Sequence, residues 1–267
     1  MLKTCLVPIL AAAVIGSSSA WAMQFDLRPE QVRKMAVNAT QAKAIAAFKT
    51  VAVLAAVPNT LHVQARRDVC ADIQAINDWD FRKQIEDHLS GALSSRFTVV
   101  PVAYNADAVG KLTAMGQIPR NALPVDERVD AFIVVWGSVE FWHTPGLTGG
   151  VFQLDVHYPD PFIPTDHEPE YAFVKFTVDI INARTQRTIV RKEIQPYPDF
   201  GREAMADPHW HVRGRGAKER LEGSWLCGSP LTEEKKQELK DDYRTIIQAV
   251  FDFALPVLRL APPKQAQ

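Results

Sequence analysis

Long apolar runs are missing from this 267-residue chain. Its longest, residues 6–15, is about half the ~20 residues that span a bilayer. An excess of one charge is missing as well: 30 Lys and Arg face 31 Asp and Glu, which argues against a global polyanion binder. Cysteine is scarce, with 3 residues, too few for a small disulfide-built scaffold. Neither a P-loop, nor Gly-x-Gly-x-x-Gly, nor His-Glu-x-x-His occurs. No repeat or low-complexity tract is visible. What is present is 47% hydrophobic and 23% charged residues, a balance that rules out a disordered or collagen-like chain.

Residues 1–22 have the pattern of a signal peptide. Lys3 precedes the apolar run, Ser17, Ser18 and Ser19 follow it, and Ala20-Trp21-Ala22 offers small residues at the first and third places of a cleavage site. Cleavage near Ala22 would leave a periplasmic or secreted chain with no transmembrane segment. It would also remove Cys5, leaving Cys70 and Cys227. In an oxidising compartment these two form the expected disulfide, and closing so long a loop stabilises by about 5 kcal/mol in chain-entropy arithmetic. Two separate buried thiols are the alternative.

Residues 23–260 read as a single α/β domain, followed by a loose tail at 261–267. Pro29 and Glu30 suit a helix start, and the Ala-rich stretch 28–48 reads as one helix. Residues 50–57 are almost continuously apolar, as in a strand buried on both faces, and Leu61, Val63 and Ala65 suit a short second strand. Asp78 can cap a helix whose Phe81, Ile85, Leu89 and Leu93 share one face. Residues 97–102 form a further strand, and Asn105 can cap a helix carrying Val109, Leu112 and Met115 as far as Gly116. Residues 131–141 are too β-branched and aromatic for a helix. Alternation marks 151–158 and 171–180, where Lys175, Thr177 and Asp179 oppose the apolar set. The turn 182–186 and a strand from Thr188 complete a hairpin. Tyr243, Ile246, Ile247, Val250 and Phe251 make the apolar face of a last helix over 231–260, which Pro256 should kink or end. The sum is a mixed sheet of about five to seven strands with antiparallel hairpins and flanking helices, the strands at 51–57, 97–102 and 131–141 being central. Long loops are expected at 144–169 and 195–229.

The order of these elements resembles a known group. Lys49-Thr50-Val51-Ala52-Val53-Leu54, Leu89-Ser90-Gly91-Ala92-Leu93, Arg96-Phe97-Thr98-Val99-Val100, Asp130-Ala131-Phe132-Ile133-Val134 and Asp179-Ile180-Ile181-Asn182 are similar to the periplasmic α/β domain shared by the curli secretion lipoprotein CsgG, the penicillin-binding-protein activator LpoB and the amino-terminal domain of TolB. The resemblance implies an envelope assembly or interaction factor rather than an enzyme, with an envelope protein as partner and no nucleic acid. It brings no binding residue with it. The chain lacks a lipid-attachment cysteine and carries its own insertions at 144–169 and 195–229.

Candidate chemistry is concentrated in those insertions. Asp207, His209 and His211 could converge on zinc or copper, because alternate residues of an extended segment point the same way. Asp166, His167 and Glu168 could add ligands. A metal-dependent enzyme or metal-binding protein centred on His209 and His211 is the alternative to a cofactor-free binding protein. Asp155 and His157 could share a strand face as a carboxylate-oriented base, or simply be solvated. Ser138 has Trp136 and Glu140 where a nucleophile elbow needs glycines. Arg213 and Arg215, each followed by glycine, form a candidate anion site diluted by neighbouring acids. Trp210 and Trp225, in polar surroundings, are candidate interface anchors. Trp136 is explained by core packing.

Overall fold

The computed structural model describes residues 29–65, 71–76, 78–111, 118, 120–137, 140–141, 144–145, 150–154, 170–174, 176–194 and 232–262. The chain opens with two helices, α1 (Pro29–Met35) and α2 (Ala39–Ala46). The single helix expected over 28–48 is therefore broken. Asn38 is the reason: its Oδ1 accepts from the Gln41 N–H at 2.9 Å, and the Gln41 side chain accepts from the Asn38 N–H at 3.0 Å. That reciprocal box satisfies the free N–H groups that open a helix and so favours a new start.

The main sheet contains β1 (Thr50–Ala56), β4 (Thr98–Val99), β5 (Ala131–Gly137), β10 (Phe176–Asn182) and β11 (Arg187–Ile194), in the order β11-β10-β5-β1-β4. β1 runs parallel to β4 and β5, while β10 is antiparallel to β5 and β11. The mixed sheet is as expected, with one correction. The strand over 97–102 is not central; it is the two-residue edge strand β4. Its ladder to β1 includes the Thr98 and Val100 N–H groups on the Lys49 and Val51 carbonyls, each at 2.9 Å.

The first face of this sheet carries Val51, Val53, Ala55, Ile133, Val135, Phe176, Val178 and Ile180. Against it pack α1, α2, α3 (Phe81–Leu93) and α5 (Glu233–Val257), with Ile85, Leu89, Tyr243, Val250 and Phe251 buried in one core. Trp79, Phe81 and Tyr243 lock the start of α3 to α5 with ring centroids 5.6–5.8 Å apart. The N-cap of α3 is Asp80, two residues later than expected, and its side chain accepts from the Lys83 N–H. The second face carries Ala52, Leu54, Ala56, Phe132, Val134 and Trp136. It is covered by α4 (Ala106–Gly110), Leu123, Val129 and the partly buried Val100, Val102 and Tyr104. Asn105 caps α4 as expected. At Lys111 the backbone leaves the helical region (ψ 88°), so the helix ends at Gly110 and not at Gly116.

A second sheet, in the order β3-β2-β8-β9, contains β2 (Thr60–Ala65), β3 (Ala71–Ala75), β8 (Gly150–Leu154) and β9 (Glu170–Phe173). It repeats the neighbour relations of the first. β2 continues β1 past Pro58, β9 leads into β10, and β8 lies between β2 and β9 as β5 lies between β1 and β10. A short β6–β7 hairpin (Glu140–Phe141, Thr144–Pro145) separates β5 from β8. The stretch 171–180 thus divides between two sheets instead of forming one strand. Three strands of the core run on past its carboxyl end into a second sheet, and β9 packs against α5.

Candidate functional site

The carboxyl ends of β1 and β5 define one pole of the molecule, the usual place for ligands in open α/β sheets. β11 runs the same way as β5 and ends there, since Ile194 lies opposite Phe176, which lies opposite Gly137. α5 begins at this pole too: the Lys240 ammonium donates to the Asp78 carbonyl at 2.9 Å, just before α3. The chain from 195 to 231 therefore leaves and re-enters the fold at the carboxyl pole. Cys227, Asp207, His209, Trp210, His211, Arg213, Arg215 and Trp225 all belong to that stretch and lie outside the described residues, as do Cys70 and the sets Asp166, His167, Glu168 and His157, Asp155.

Behind this pole, at the middle of the sheet, the described residues bring together a cluster not singled out from the sequence. Asp179 projects from β10 onto the second face and is fully buried, as is most of Thr177. Alternation places both on the strand face opposite the apolar set, and that face is buried too. Arg191, directly across on β11, grips the Asp179 carboxylate through Nε at 2.7 Å and Nη2 at 2.5 Å. The Trp136 indole N–H donates to the same carboxylate at 3.3 Å, and the Arg191 guanidinium lies 5.4 Å from the Trp136 ring centroid. Hydrogen bonding to Asp179 raises the Arg191 pKa, with burial opposing it. The bidentate grip and the indole N–H supply the hydrogen bonds that burial of the Asp179 side chain requires. Trp136 is a core residue, as expected, and also a polar partner.

A second cluster plugs the edge of β1 that short β4 leaves open. The Ala55 N–H donates to the Tyr104 hydroxyl at 2.8 Å, and that hydroxyl donates to the Glu86 carboxylate, with the Ala55 carbonyl also in reach at 2.9 Å. Arg82 Nε donates to the Val57 carbonyl at 3.3 Å, and its Nη2 reaches Asp107 Oδ1 at 2.9 Å. α3 on one face is thereby tied to α4 on the other around the strand edge. Burial, then the hydrogen bond and charge of Glu86, push the Tyr104 pKa well up. The phenol stays neutral.

Among the described residues no group of three or more His, Cys, Asp or Glu is placed to hold a metal ion, and no helix is long and apolar enough to cross a membrane. No protein family matches the sequence, and no curated protein matches it. Among solved structures, a homolog of the neuraminyllactose-binding hemagglutinin from Helicobacter pylori is similar over 78% of this chain and 84% of its own, at 7% identity and a TM-score of 0.38. A Xanthomonas campestris protein assigned to DUF330 is similar over 80% of this chain and 85% of its own, at 10% identity and a TM-score of 0.32. At these identities and scores neither lends this chain an activity.

Proposed function

We propose that the chain is an exported envelope protein acting as a non-catalytic assembly or interaction factor, engaging an envelope protein through the segments that leave the carboxyl pole. The observation that carries this reading is how that pole and the middle of the sheet behind it are built. Asp179, Glu86, Tyr104, Arg82 and Asp107 are each committed to a partner within the fold. A carboxylate held by a bidentate guanidinium and an indole N–H is a poor proton shuttle but a firm frame. The leader-like residues 1–22 support export, and the order of elements supports likeness to the CsgG, LpoB and TolB domain group.

In-cell cross-linking followed by mass spectrometry tests this. An enriched envelope protein cross-linked through 195–229, with the chain recovered in the envelope fraction, is the expected outcome. Recovery in the cytoplasm, or no enriched partner, overturns the reading. Near-stoichiometric zinc or copper in the purified protein, lost in a His209→Ala/His211→Ala variant, would also overturn it in favour of a metal protein.

A further inference from the structure

The pole opposite, at the amino ends of β1 and β5, is built differently. Its centre is Asp130, whose Oδ2 accepts from the N–H groups of Lys49 and Thr50 at 2.8 and 3.0 Å, and whose carbonyl accepts from Ala183 at 2.9 Å. Those bonds place the start of β1, the start of β5 and the β10–β11 turn side by side. The Thr98 N–H donates to the Lys49 carbonyl at 2.9 Å, which brings in the α3–β4 link. There Arg96 lies 5.0 Å from the centroid of Phe97 and donates to the Arg259 carbonyl at the end of α5. Lys49, Arg96, Arg184, Arg187 and Arg259 are thus gathered at one end, all exposed. None of them forms an ion pair among the described residues. By contrast Arg82, Lys83 and Lys240, toward the carboxyl pole, are each paired with an aspartate. Among the described residues the acids near the basic end are Asp130, which backbone N–H groups hold and whose charge also acts on Lys49 and Arg184, Asp126, which is paired with Arg128, and Glu127 beside them.

Three helices end at this pole, and cations near helix C-termini are favourable on that account alone. That does not explain Arg259. α5 closes with the Leu260 N–H on the Leu255 carbonyl at 2.8 Å and the Arg259 N–H on the Pro256 carbonyl at 3.0 Å, with Arg259 itself left-handed at φ 59°. This is the position glycine fills without strain. An arginine there accepts strain to place a cation at the surface, and residues held in strained backbone are a pointer to function.

We propose that this amino pole docks on an anionic lipid surface. The cations come from the start of β1, the α3–β4 link, the β10–β11 hairpin and the end of α5, a diffuse arrangement that suits a layer of phosphate headgroups better than one positioned anion. The charge pattern is independent of the function proposed above; choosing lipid over an acidic protein rests on the export reading. The test is flotation of the purified mature chain with vesicles of phosphatidylcholine alone or with phosphatidylglycerol added, at low and high salt. Binding only to the anionic vesicles, weakened by salt, is expected. The variant Arg184→Gln/Arg187→Gln/Arg259→Gly should bind on the order of a hundredfold more weakly. Its glycine relieves strain, and an unchanged melting temperature or better excludes misfolding. Equal binding to both vesicles, no binding, or a variant that binds as the parent does overturns the proposal. Vesicle binding by a chain recovered in the cytoplasm would sustain the pole and sink the envelope reading; an envelope chain that ignores vesicles would do the reverse.

Discussion

Asp179 is the residue on which the second face of the sheet depends. It is wholly buried, while the Arg191 side chain remains 33% exposed, so the two partners are not equivalent. Asp179→Ala takes the bidentate acceptor from the Arg191 guanidinium and leaves the Trp136 N–H without this acceptor. A loss of about 3 kcal/mol is expected in urea unfolding. Arg191→Met leaves a buried carboxylate and should cost at least as much at neutral pH. Asp130 makes a different prediction. The Lys49 N–H, then that of Thr50, hold its carboxyl below the usual carboxylate range, with burial opposing. A group depressed on folding contributes stability above its unfolded pKa and loses it as pH falls through the folded value. Asp130→Asn should therefore cost about 1–2 kcal/mol at neutral pH, and the difference from the parent should shrink below about pH 4. A constant difference across that window would exclude the charge as its source. Arg259→Gly should move stability the other way, by about 1 kcal/mol, read as a rise of roughly 2–4 °C in melting temperature.

At the scale of elements, the sequence was most legible where one physical signal acts alone. Continuous apolarity located β1, and three- and four-residue spacing located α3 and most of α5, because burial on two faces or on one stripe leaves a periodic trace. It failed where local chemistry overrides periodicity. The Asn38–Gln41 box splits an Ala-rich helix, β4 pairs over two residues only, and the chain passes from one sheet to the other between Phe173 and Phe176 without breaking the alternation. Asp179 misled for a related reason: period 2 gives the face of a strand, and only the fold says whether that face is dry. Tyr104 and Glu86 were illegible too, since their meeting depends on how far β4 stops short. That edge staple makes its own prediction. Tyr104 is more reluctant to ionise folded than unfolded, so it contributes stability fully present below the ordinary tyrosine pKa and lost as pH rises past about 10. Tyr104→Phe should cost about 1 kcal/mol at neutral pH, and that gap should narrow at high pH. Absorbance titration of the folded protein should find one fewer phenol resisting ionisation in the variant than in the parent.

For the whole molecule the two poles divide the work the sequence suggests. The carboxyl pole carries the extended strands and the ends of the segment 195–231; the amino pole carries cations that form no ion pair among the described residues. With a net charge of −1, such a cationic end is a matter of distribution, which composition could not reveal. Export and oxidation bear on both poles. If residues 1–22 are removed, the remaining cysteines are Cys70, between β2 and β3, and Cys227, in the segment before α5. β2 continues β1 past the carboxyl pole and α5 starts there, so a bridge between them would anchor the long segment against the second sheet. Intact mass of the chain purified from the oxidising compartment, before and after alkylation under denaturing conditions, should show no thiol modified. Prior reduction should expose two. Cys70→Ser/Cys227→Ser should then lower stability by about 5 kcal/mol at most, strain reducing that figure, and release 195–229 to proteolysis ahead of the core. Two modified thiols without reduction would show that the segment is held by packing alone, or not held until its partner arrives.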